Sequence, residues 1–97
     1  MYTITASDGS FEMRVVRKSA GRYRVDVNTK PILAERFFRF LRETYIVKDL
    51  RESARDQITF ILELELLAYV FERDHLYESL SNLYESALAI HANEFFF

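Results

Sequence analysis

"TFILELELLAYVF", residues 59–71, decides how this chain folds. Taken in steps of two, Phe60, Leu62, Leu64 and Leu66 fall on one side, as in a strand. Taken at about 100° per residue, the same letters make a helix with two apolar stripes. One stripe runs Leu50, Phe60, Ile61, Leu64, Leu67, Ala68 and Phe71, and the other Ile58, Leu62, Leu66 and Tyr69. Glu63 then joins a wet strip with Glu52, Asp56 and Thr59, while Glu65 sits between the stripes. Thirteen residues is long against the roughly 5–6 of an ordinary strand, and Leu, Glu and Ala favour helix. "RESARDQ" before and "FERDH" after carry no turn chemistry. The spacing therefore predicts a helix over about residues 50–73.

Such a helix must be covered on two sides. A sheet and a neighbouring helix cover one; the other calls for a further helix or a second copy of the chain. A homodimer through this helix and the third one is the expectation, with Ile58, Leu62, Glu65, Leu66 and Tyr69, and Tyr77 and Tyr84 of the third helix, at the contact. Glu65 then needs a cation from elsewhere, with Arg36, Arg39 and Arg42 as candidates.

The N-terminal third reads as strands. Asp8-Gly9 is a strong hairpin signal between "YTITAS" and "SFEMRVV". A two-residue loop there pairs Ala6 with Phe11, Ile4 with Met13 and Tyr2 with Val15, which leaves Thr3, Thr5, Glu12 and Arg14 on the other face. At the second turn, a two-residue Ala20-Gly21 loop would throw Val25 and Val27 onto the polar face. A three-residue loop, Ser19-Ala20-Gly21, pairs Val15 with Val25 and Met13 with Val27, and sets Arg14 opposite Asp26. Gly21 then takes the left-handed position.

Pro31 suits the first turn of a helix, and residues 31–47 have an apolar face of Leu33, Ala34, Phe37, Phe38, Phe40, Leu41 and Tyr45. A third helix is expected over about 75–92, with Asp74 as its N-cap. It holds the echo "LYESLSN", "LYESALA", with Leu76, Leu80, Leu83, Ala87 and Ile90 as a 4-3-4-3 seam and Tyr77 and Tyr84 beside it. The expected architecture is α+β, one domain over 1–97. A three-stranded antiparallel meander (1–29) precedes a helical part (30–97), its three helices packed on one face of the sheet.

Composition narrows the function. The 97 residues are 49% hydrophobic with a formal charge of −2. Residues 1–30 carry six Lys+Arg against three Asp+Glu, and residues 31–97 seven against twelve. There is no cysteine, which removes disulfides, thiolate nucleophiles and cysteine-held metals. His75 and His91 stand 16 residues apart, roughly 24 Å along one helix, so they share no site within a chain. Their neighbours Glu78 and Glu94, each three residues on, read as ordinary helix surface. Glu63 and Glu65 diverge on a helix and make no acid/base pair. Two glycines build no phosphate loop or dinucleotide fingerprint. No catalytic role, cofactor or metal is expected.

The outer face of the meander carries Arg14, Lys18, Arg22 and Arg24. A three-stranded sheet followed by a helix, with "GRYRVDV" in its last strand, resembles in outline the arm-type DNA-binding domains of integrases over residues 1–46. The resemblance implies a sheet laid in the major groove, with Arg14, Arg22 and Arg24 leading. The terminal "NEFFF" (Phe95, Phe96, Phe97) reads as a cap on the core, a dimer swap or a docking tail. The N-terminus lacks a basic segment followed by an apolar run, and Glu63 and Glu65 break the longest apolar stretch, so no membrane span is expected. The expected function is a small cytoplasmic interaction protein (a regulator, adaptor or inhibitor) working by protein–protein binding. Nucleic-acid binding is the alternative.

Overall fold

A computed structural model describes residues 1–6, 9–45 and 47–95, with side chains as far as Ile90 in the last helix. It divides into two compact units, residues 1–63 and 64–97.

The first unit begins with β1 (Tyr2–Thr5), β2 (Phe11–Ser19) and β3 (Arg22–Thr29). The registers are those the apolar pattern requires. Tyr2 faces Val15 and Ile4 faces Met13; Met13 faces Val27, Arg14 faces Asp26 and Val15 faces Val25. Gly21 has φ +69°, the left-handed conformation expected of it, but Ser19, expected in the loop, stays in β2 and pairs with Arg22, and the extra residue is taken up by a register shift between Arg17 and Ser19. Gly9 is also left-handed, at φ +74°. Its N–H donates to Ala6 O and Ala6 N–H donates to Phe11 O, both at 2.9 Å, closing the hairpin at Ala6 and Phe11; Asp8 of the expected two-residue loop lies outside the described residues.

Helix α1 (Pro31–Thr44) starts at the proline with its first backbone bond from Ala34 N–H to Lys30 O. It stops three residues short of the expected end. Thr44 Oγ1 donates back to Phe40 O at 2.6 Å, and Tyr45 turns extended at φ −125°. Leu33, Ala34, Phe37 and Leu41 form the buried face. Phe37 meets Phe11 edge-on at 6.1 Å, and the helix packs over β3 and the two strands that follow it.

Those two strands replace the expected second helix. β4 (Lys48–Ala54) and β5 (Gln57–Glu63) form an antiparallel hairpin, and β5 also pairs with β3. The architecture is α+β: one five-stranded antiparallel sheet in the order β1-β2-β3-β5-β4, with two helices among the described residues. The reason is non-local. Tyr23 pairs with Leu62, Val25 with Phe60 and Val27 with Ile58. Every apolar side chain of β5 at these positions thereby reaches the buried face, and cross-strand packing outweighs local helix propensity. Ile58 and Phe60 are 0% exposed.

Between β4 and β5, Arg55 and Asp56 turn the chain without a glycine. Among the described residues Asp49, at φ +51°, is the one non-glycine in the left-handed region. The β4–β5 register shifts twice, between Lys48 and Arg51 and between Glu52 and Ala54. Such bulges, with Lys48, Asp49, Arg51 and Glu52 along the strand, guard an exposed sheet edge against further pairing.

The second unit runs through an irregular segment, 64–71, into α2 (Glu72–Phe95). Phe71 O accepts the first helical bond, from His75 N–H at 3.1 Å. Asp74 therefore lies inside the first turn beside Glu72, where it complements the helix dipole; it is not the cap. Leu76, Leu80, Leu83 and Ala87 are buried as the seam anticipated. Among the described residues no helix is long and apolar enough to cross a membrane.

Candidate binding surfaces

The outer face of the sheet is built by strand alternation. Residues 23, 25 and 27 of β3 point into the core, so Arg22, Arg24, Asp26 and Asn28 point out. The ladders then bring Arg14, Asp26, Thr59 and Arg51 into one row, and Val16, Arg24, Ile61 and Lys48 into the next. Lys18 follows Arg14 and Val16 in the same alternation, at the bulged end of β2.

The expected arginines are thus brought to one face, but each stands beside a carboxylate. Arg14 pairs with Glu12, Arg24 with Asp26 at 3.3 Å, and Arg22 with Glu63 at 3.8 Å. Arg24 Nε is close to Asp26 without hydrogen-bond alignment, so that contact is ionic only. Lys48, which lies between the two expected helices, is the first residue of β4 and reaches Glu63 at 3.0 Å. Glu63 belongs to this face and bridges two cations. Lys18 and Arg51 are exposed and in no ion pair among the described residues. Six cations (Arg14, Lys18, Arg22, Arg24, Lys48, Arg51) therefore face three carboxylates (Glu12, Asp26, Glu63). Lys48 and Arg51 had no sequence signal as members of this set, because only the β3–β5–β4 register puts them there.

One polar side chain of this face is buried. Thr59 is buried, donates to Asp26 Oδ1 at 2.9 Å, and lies 3.2 Å from Ser53 Oγ. The line Ser53–Thr59–Asp26 contains no histidine, and its hydroxyls are spent on the sheet. Among the described residues no three His, Asp or Glu side chains converge as metal ligands. A shallow depression lined by Pro31, Ile32, Glu35, Glu52 and Arg55 brings together no nucleophile and base.

The residues expected at a protein interface separate. Ile58 and Leu62 lie on the buried face of β5, at 0% and 3% exposure, and are core rather than contact surface. Leu66 is 52% exposed, Tyr69 84% and Tyr77 49%, joined by Phe71 at 78%. Tyr84 is half-buried on α2. Glu65 is exposed to water and in no ion pair among the described residues, so it needs no arginine; Arg39 pairs with Glu35 and Arg42 with Glu43. Phe96 and Phe97, and the side chain of Phe95, lie outside what is described.

The chain matches no known protein family, no curated protein and no solved structure. The outline shared with arm-type domains also changes meaning. Its third strand is an inner strand here, flanked by β5, so the three-stranded unit is part of a wider sheet.

Proposed function

We propose that this is a small, non-catalytic cytoplasmic protein that acts by binding another protein, as a regulator, adaptor or inhibitor. One observation carries the reading: Leu66, Tyr69, Phe71 and Tyr77 are all exposed within twelve residues of the second unit. Water-exposed aromatic and aliphatic side chains in such density cost solvation and mark interaction surfaces. Aromatic residues are also the side chains that anchor protein interfaces. The same strip serves a homodimer or a heterologous partner; a dimer through a second helix has no basis, because that helix is a hairpin. Affinity capture with the wild-type protein and with a folded Tyr69→Ser/Phe71→Ser variant tests the reading. A defined partner held by the first and lost by the second supports it, and equal capture by both defeats it.

A second reading has its own observation. Six cations against three carboxylates give the outer sheet face an excess of positive charge in a chain whose total is −2. No aromatic side chain lies on that face among the described residues. Single-stranded bases would find nothing to stack on, which favours contact with the phosphates of a duplex.

A further inference from the structure

The two edges of the sheet are unlike each other. The β4 edge is charged and twice bulged, both of which discourage pairing. The β1 edge is "YTIT": β-prone, uncharged, without proline, and in unbroken register with β2.

The ladder fixes which groups that edge presents. Ala6 N–H bonds to Phe11 O, so hydrogen-bonded pairs recur two residues apart, at Ile4–Met13 and Tyr2–Val15. Thr3 and Thr5 occupy the alternate pairs, and their N–H and C=O groups point away from β2. These four groups form a short template for one more strand. Both threonines are exposed.

We infer that β1 pairs with β1 of a second copy of this chain, antiparallel about a two-fold axis at Ile4. Thr3 then faces Thr5 of the partner and Thr5 its Thr3, which gives four backbone hydrogen bonds. Ile4 faces its own copy and Tyr2 faces Ala6, so apolar side chains meet apolar and hydroxyls meet hydroxyls. A one-residue slip sets Thr3 against Ile4 and mixes the faces. The strand is its own complement in one register, and this points to the same chain as occupant. The result is a ten-stranded sheet whose outer faces join. The inference is independent of the exposed strip at residues 66–77. Four-residue strands bury far less than the roughly 1,000 Å² of a stable interface, so the dimer is weak.

The chain has no cysteine, so disulfide trapping reports the register directly. Facing residues of a non-hydrogen-bonded antiparallel pair sit at disulfide-compatible spacing. Ile4→Cys is expected to give a covalent dimer on mild oxidation, whereas Arg51→Cys on the guarded edge stays monomeric. Adding Thr5→Pro removes an outward N–H that the fold does not use, and abolishes trapping while the circular dichroism spectrum stays native. Sedimentation at about millimolar concentration, in the weak-affinity range, is expected to show self-association of the wild type and its loss in Thr5→Pro alone. Equal trapping of Ile4→Cys and Arg51→Cys, or sedimentation unchanged by Thr5→Pro, overturns the inference.

Discussion

Thr59 Oγ1 donates to Asp26 Oδ1 at 2.9 Å across the β3–β5 pair. The other oxygen of Asp26 faces Arg24, so one carboxylate ties a buried hydroxyl to the charged surface above it. A buried hydroxyl without a partner costs about 1–3 kcal/mol; here it has Asp26 and Ser53. Thr59→Val keeps the shape and leaves both partners short of a bond. The expected loss is about 1–2 kcal/mol, read as a lower midpoint in denaturant with an unchanged slope.

The strand assignment of residues 57–63 makes neighbouring isoleucines unequal. Ile58 is fully buried opposite Val27, while Ile61 lies half-buried on the outer face opposite Arg24. Ile58→Ala is expected to cost about 2–5 kcal/mol, and Ile61→Ala clearly less. A helix would have put both isoleucines on apolar stripes and removed the contrast. Chemical denaturation of the two variants distinguishes the cases.

That contrast shows what the letters carried. The first three strands were legible because alternation and turn chemistry agree at every pair from Tyr2–Val15 to Met13–Val27, so one register satisfies both. Residues 48–63 were not. Their turn, Arg55-Asp56, uses no glycine, and β4 is an edge strand whose exposed residues show no apolar alternation. β5 draws its stability from partners some 30–40 positions away, which a local window does not see. The cost fell on the sites as well. Ile58 and Leu62 moved into the core, whereas Leu66, Tyr69 and Tyr77 stayed at the surface because they lie beyond the strand.

The outer face makes a salt-dependent prediction. Each phosphate neutralised on B-DNA lowers log K by about 0.9 per decade of salt. A net excess of three positive charges gives a slope of about −2.7. Arg51→Glu, at an exposed and unpaired position, is expected to weaken binding of a duplex oligonucleotide and flatten that slope without affecting folding. A salt-titrated shift assay checks both effects; binding that ignores salt and Arg51 removes the nucleic-acid reading.

Tyr45 links the end of α1 to pH. Burial beside Phe40, with ring centres 6.4 Å apart, raises its hydroxyl above the ordinary value of 10.0. The folded state then holds the proton more tightly than the unfolded one. Its contribution is fully present below about pH 10 and declines as pH rises through the folded value. Stability should fall above that pH, and Tyr45→Phe should make the fall shallower. Thermal melts of both proteins between neutral and strongly alkaline pH measure the difference.

We propose that this protein meets its partner through the exposed strip of the second unit. A photoreactive phenylalanine analogue at position 69, introduced in the source cells, tests it at the residue concerned. The expected result is one discrete cross-linked adduct, identified by mass spectrometry. The same analogue at Glu85, exposed on α2, should give none. No adduct from position 69, or the same diffuse products from both positions, would rule out the strip as the partner site.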